Sequence, residues 1–213
     1  DGWKKMNLKK KCLSLIVATA LNAGMPRISE SYTPLPGRTI DSYAAIKKKM
    51  DRPDKVWAYF NSSAITYRKD QEGIFVGYDN TLRIVGKDYM QDPIDTYLSG
   101  EGDCEDYAAL AADWLSAAGL PSKIIGFFER GNKNGHHICA VQYHGVWFYL
   151  GNEDYNGPYP SIQALIEKNE PNWAVYYEAT LDQTKGAGER VFNEIYRNDA
   201  AKRKFGKCIE RLK

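Results

Sequence analysis

The chain has 213 residues, 43% of them hydrophobic and 26% charged, which is enough for one well-cored domain and short for two. The formal charge of +2 is unevenly spread, because five lysines against Asp1 put +4 on residues 1–24 and leave −2 on the remainder. The body of the protein therefore carries no basic footprint for nucleic acid, which excludes that class of partner.

In chain order, the first element reads as an address. Lys9, Lys10 and Lys11 precede the apolar run Cys12–Leu21, and the small residues Ala23 and Gly24 follow, the pattern of a secretory signal peptide over 1–24. Met6 is the natural initiator on this reading, and the mature protein is expected in the periplasm or outside the cell; a buried N-terminal helix is the alternative. The three lysines before Cys12 speak against a lipid anchor there. The run is shorter than the roughly 20 residues a membrane helix needs, and no other stretch is long and apolar enough to span once the leader is removed. Residues 25–38, rich in Pro and Ser, read as an extended linker, and a single domain is expected over 39–213.

Within that domain, Tyr43, Ile46 and Met50, then Val56, Trp57 and Phe60, recur at helical spacing and predict two short helices. Gly73 to Gly86 alternates around the polar turn 78–81, as a small hairpin or an irregular insertion would. Gly100 to Asp103 is a loop signal. Asp103 stands as an N-cap with Asp106 three residues on as a variant capping box, so a helix should start at Cys104 and stop before Gly119 and Pro121. Its small residues, Ala108, Ala111 and Ala118, suit a central helix. The period then changes to two: 123–129, 137–143 and 146–150 read as strands of an antiparallel sheet. A short surface helix over 161–170, a strand over 173–180 and a polar helical tail over 189–212, with Cys208 near its end, complete an α+β order.

Chemistry concentrates at one cysteine. Cys104, Cys139 and Cys208 follow the leader, an odd number at unrelated spacings, so at least one thiol stays free unless it pairs with another chain. A thiol attacks as thiolate, which a helix N-terminus favours, and Cys104 is placed for that. It needs a base and a group to orient the base, and there are three histidines to choose from. If His144 and Gly145 form a two-residue turn, residues whose numbers add to 289 lie opposite one another and His137 faces Asn152. Opposed side chains share a face within about 4.5–5.5 Å, so the Asn152 carbonyl could accept from Nδ1–H. A longer turn would offer Asp154 instead. His136 points to the other face and His144 sits at the turn tip. Cys139 reads as an inert buried thiol, and a cysteine at a helix start is itself more often a core residue than a nucleophile.

The segment Gly102-Asp103-Cys104-Glu105-Asp106-Tyr107-Ala108 resembles the nucleophile motif of the bacterial transglutaminase-like cysteine proteinases, and the lead-in Asp88-Tyr89, Asp92-Pro93 and Gly100-Glu101 is similar too. The resemblance spans roughly Val56 to Asn152. It implies a papain-like, transglutaminase-like fold with the nucleophile at the start of a central helix, Cys104 as that nucleophile, and a histidine opening a strand after a glycine, as His136 and His137 do after Gly135. One departure stands out: where the family has Leu-Asp-Asn, this chain has Leu150-Gly151-Asn152. In the family's periplasmic adhesin-releasing proteases the acids flanking the cysteine bind calcium, which would put Ca2+ on Asp103 and Glu105; helix capping is the plainer account of the same acids. No organic cofactor is implied. The expectation is an exported thiol peptidase or amide hydrolase acting on an envelope or surface protein or peptide through Cys104, His137 and Asn152 or Asp154. The rivals are an acyl transferase of transglutaminase type and a non-catalytic binding domain that keeps the fold.

Overall fold

The structure, a computed structural model, describes residues 34–70, 73–76, 82–85, 89–129, 135–182 and 189–197. The leader, most of the linker and Cys208 lie outside the described residues. The chain divides into two units, one of them Asp70–Tyr89 and the other Thr33–Lys69 together with Met90 onward.

Helix α1, Ile40–Lys47, is capped by Thr39 through a box with Ser42. Just before it, Leu35 N–H bonds the Leu98 carbonyl at 2.9 Å, and the Arg38 guanidinium donates to the carbonyls of Ala64 and Tyr97. Helix α2, Pro53–Tyr59, opens on proline at N1, whose missing N–H costs nothing there. It runs into a π-helical turn, Phe60–Ala64, which is kinked inside at Ser63, φ 60°. Strand β1, Thr66–Tyr67, follows. In the smaller unit, β2, Gly73–Val76, and β3, Leu82–Val85, pair antiparallel, as a hairpin insertion would. Helix α3, Pro93–Ser99, is N-capped by Asp92, and Gly100 closes it in the left-handed conformation. Strand β4, Glu101–Gly102, pairs parallel with β1.

Helix α4, Cys104–Ala117, is buried along every face from Cys104 to Leu115. A helix without a solvent side belongs at the centre of a domain, and its alanines let neighbouring backbone come close. Three acids are buried on it, and each has found a partner, as burial of charge requires. Asp106 accepts from the Gln91 N–H at 2.7 Å and the Gln91 amide at 2.8 Å, and closes the capping box on the Asp103 N–H at 3.1 Å. Asp113 takes the Tyr43 hydroxyl and lies 2.6 Å from Lys47 Nζ. Glu105 faces Cys104 and a histidine.

The sheet behind this helix comprises β5 (Ser122–Glu129), β6 (Gly135–Tyr143), β7 (Val146–Leu150), β8 (Tyr155–Tyr159), β9 (Trp173–Asp182) and β10 (Glu189–Arg197) in the order β10-β9-β5-β6-β7-β8, every neighbour antiparallel. The β6–β7 turn is the two-residue one expected, with His144 at φ 52° and Gly145 at φ 82°, the pair of positive values a type I′ turn demands. Tyr143 faces Val146 and Cys139 faces Leu150, so the register read from the sequence holds along the ladder.

Strand alternation sorts the two faces. Ile125, Phe127, Ile138, Ala140 and Tyr149 pack with Ile162, Leu165 and Ile166 of helix α5, Ile162–Asn169. His137, Cys139 and Gly126 point the other way, toward α4. The fold is thus α+β of the papain-like, transglutaminase-like kind, with a central helix on an antiparallel sheet. One element differs from expectation: Glu189–Arg197, which reads as part of a polar helix, forms β10 against β9 with a bulge at Phe192/Glu194. Its Val-Phe-Asn-Glu-Ile-Tyr stretch suits a strand as well as a helix, and the unpaired edge of β9 supplies partners that an isolated helix would not have.

Candidate active site

Cys104 is the first residue of α4, directly after the Asp103 cap, and is 8% exposed. Its thiol is a donor to Glu105 Oε2 at 3.3 Å, and His137 Nδ1 lies 4.0 Å from the sulfur. The same imidazole nitrogen is 3.6 Å from Glu105 Oε2. Sulfur, imidazole and carboxylate thus form one small triangle where the helix start meets the sheet.

Burial pushes the Cys104 thiol well above its ordinary value, the Glu105 and Asp103 charges add to the rise, and His137 opposes it. The resting sulfur is therefore a protonated thiol, hydrogen-bonded to a carboxylate, with the His137 imidazole alongside. The benefit of the helix N-terminus is present but outweighed at rest by desolvation.

Of the residues the sequence singles out, Cys104 and His137 are brought together. Asn152 and Asp154 are placed differently from the simple hairpin extension. The β6–β7 ladder stops at Cys139 and Leu150, two residues short of the His137–Asn152 pair. After Leu150 the chain turns back at once: Gly151 N–H bonds the Asp154 carbonyl at 2.9 Å, the Glu153 carbonyl accepts from Trp57 Nε1 at 2.9 Å, and Tyr155 then pairs with Leu150 as β8 begins. Asn152 Oδ1 is buried without a hydrogen-bond partner, and Asp154 is exposed. Neither side chain holds the imidazole among the described residues. His136 lies on the opposite face, edge-on to Phe127 at 5.3 Å between ring centres.

The second ring nitrogen, Nε2, meets the Tyr177 hydroxyl. Tyr177 comes from β9, two strands away from His137, and is 2% exposed. Sequence reasoning passes over it, since a tyrosine in a strand reads as core. The available signal is Gly126, a glycine inside the otherwise bulky strand Ile124-Ile125-Gly126-Phe127-Phe128, where an interior glycine marks a close approach by another group.

For a metal, Glu105 Oε1 is a buried carboxylate oxygen with no hydrogen-bond partner, a hard donor of the sort a calcium ion takes. Asp103, 7% exposed, flanks the cysteine on the other side.

The match to known proteins falls on the same segment. Residues 75–157, which include Cys104, His137 and the β6–β7 hairpin, match the family described as the transglutaminase-like superfamily (Transglut_core). Among solved structures the chain is similar to Legionella pneumophila LapG, at 15% identity and a TM-score of 0.44, over 81% of this chain and 86% of that one. Two further LapG structures, one EGTA-treated (15% identity, TM-score 0.42, 81% and 87% covered) and one calcium-bound (16%, 0.42, 81% and 88%), are similar as well. No curated protein sequence matches the chain. No helix among the described residues is long and apolar enough to cross a membrane.

Proposed function

We propose that this protein is an exported thiol-dependent peptidase or amide hydrolase that cleaves an envelope or surface protein. The observation that carries the reading is the 4.0 Å approach of Cys104 Sγ to His137 Nδ1 at the start of a central helix. In the reaction, Nδ1 takes the thiol proton as sulfur attacks the scissile carbonyl, and the Cys104 N–H at the helix start donates to the developing oxyanion. The proton then passes from Nδ1 to the leaving amine, and water, deprotonated by the same nitrogen, releases the acid from the thioester. Acyl transfer to an amine would use the same thioester and differ in the final nucleophile.

Calcium is part of this proposal. Asp103 and Glu105 would hold it, supported by the unpartnered Glu105 Oε1, and its charge would offset the acids crowded around the thiol. Two carboxylates are short of the six to eight oxygens such an ion takes, so further donors complete the site. Calorimetry reads this directly: heat on adding Ca2+ to the wild type, lost in Asp103→Ala, supports the site, and no heat at millimolar Ca2+ removes it.

The activity is tested by incubating the protein with a peptide library and reading products by mass spectrometry. Hydrolysed peptides that vanish with Cys104→Ala support the peptidase; amine adducts in their place make it a transferase. An iodoacetamide rate near that of free cysteine and unchanged by His137→Ala would leave a binding domain that keeps the fold, a reading prompted by Gly151. Export is checked on the mature N-terminus, which should fall near residue 25.

A further inference from the structure

The imidazole of a thiol–histidine pair has to be held twice over, in its ring plane and in its tautomer. For Nδ1 to receive the thiol proton it must be unprotonated, so the neutral ring must carry its hydrogen on Nε2. Which tautomer prevails is set by the hydrogen bond the far nitrogen makes, so an acceptor at Nε2 is required. The loop at 151–154 does not supply one: Asn152 Oδ1 has no partner and Asp154 is exposed.

Three residues stand in a row across three strands. His137 on β6 is paired with Gly126 on β5, and Gly126 with Tyr177 on β9. Opposed residues project to one face, so both rings rise from the α4 side of the sheet with Gly126 between them. Their backbones are two strand spacings apart, about 9.5 Å, a gap two rings close by leaning toward each other over the middle strand. They do so here because the middle strand has no side chain. A Cβ on Gly126 would lie 2.2 Å from Tyr177 Cζ, 2.4 Å from its hydroxyl oxygen and 2.5 Å from Cε1. The rings meet edge-to-face, 5.8 Å between centres at 65°, with the hydroxyl on Nε2.

We propose that Tyr177, reaching across Gly126, is the positioning residue of the His137 imidazole, in the role the sequence assigns to Asn152 or Asp154. The inference rests on reading Cys104 and His137 as the reacting pair. Tyr177 accepts from Nε2–H, leaves Nδ1 free for the thiol proton, and keeps accepting when the ring is protonated. Being neutral, it orients the ring without the charge a carboxylate would add beside an already acid-crowded sulfur.

The experiment joins two measurements on the full chain. Nitrogen-15 shifts of labelled histidine, with His137 assigned by its loss in His137→Gln, report the tautomer; the pH profile of iodoacetamide alkylation at Cys104 reports the thiol. In the wild type the Nε2–H form should dominate. Tyr177→Phe should shift the ring toward Nδ1–H and slow alkylation at neutral pH about tenfold, the worth of one hydrogen bond to a ring that becomes charged. Gly126→Ala should produce the same tautomer change, and should add nothing in a Tyr177→Ala background, where there is no ring left to displace. An Nδ1–H tautomer in the wild type overturns the proposal, a result that needs no variant to fold. So does a Tyr177→Phe protein with unchanged tautomer and profile, or a tautomer change produced by Asn152→Ala instead. If Tyr177→Phe changes the tautomer while His137→Gln leaves alkylation untouched, the positioning stands and the peptidase reading falls.

Discussion

Two thiols, Cys104 and Cys139, lie on the same side of the sheet's β6 strand, both unpaired, both buried and both with acidity pushed far below that of a free cysteine. For Cys139 burial is the whole cause. For Cys104 burial leads, two carboxylates add to it and a hydrogen bond from the His137 backbone works against it. Resting acidity therefore does not tell the two thiols apart. What separates them is company: Cys139 sits among Ile124 and Leu150 on neighbouring strands, with no base, whereas Cys104 has a helix start beneath it and a histidine beside it. In the proposed function such a thiol would be activated on demand, by proton transfer during attack, and would not store a thiolate.

The sharpest break of that comparison is to remove each sulfur in turn. Cys104→Ala should lower peptide cleavage by at least about a thousandfold, the scale on which loss of a nucleophile is felt in such sites. Cys139→Ala should stay within about twofold of wild type once folded, because its sulfur only fills space. Cleavage assays on the two purified variants check both, and equal losses would erase the distinction.

A smaller change tests the balance around Cys104. Glu105 holds the thiol hydrogen in place and raises the acidity threshold by its charge. In calcium-free buffer, Glu105→Gln keeps the shape and removes the charge, so alkylation at pH 7 should rise by roughly tenfold, about one pH unit of thiol acidity. A fall in the rate would mean that the carboxylate serves the thiol as an acceptor more than it burdens it as a charge.

Much of this site could be read from the residues alone, and the part that could not has a physical reason. Helix α4, its cap at Asp103 and its stop at Gly119 are local features, legible from spacing and capping residues. So is the β6–β7 register, which a two-residue turn imposes on both strands. The register does not extend to a His137–Asn152 pair because it holds only while pairing lasts: the ladder ends at Leu150, Gly151 N–H turns to the Asp154 carbonyl and β8 begins. Tyr177 escapes because it becomes His137's neighbour through β5, by a strand order that sets β9 directly beside β5, and no local pattern encodes such an order. The strand Glu189–Arg197 was lost for the same reason, since the edge of β9 that selects it is a tertiary fact.

The mildest expected effect concerns stability. Both thiols have folded-state pKa values raised above the unfolded value, so each contributes stability that is complete below the unfolded thiol value of about 8.5 and is lost as pH climbs past it. Above that point the unfolded chain releases protons that the folded chain retains, and unfolding is favoured by about 1.4 kcal/mol per pH unit for each such thiol. Urea unfolding between pH 8 and 10 should show a falling midpoint in the wild type and a shallower fall in Cys139→Ala, whose remaining slope belongs to Cys104; the Tyr43 hydroxyl, also raised by burial beside Asp113, joins only above about pH 10. If the two proteins lost stability at the same rate with pH, Cys139 would have to ionise in the folded state as freely as in the unfolded one. The contrast between a thiol with company and a thiol without it would then rest on reactivity alone.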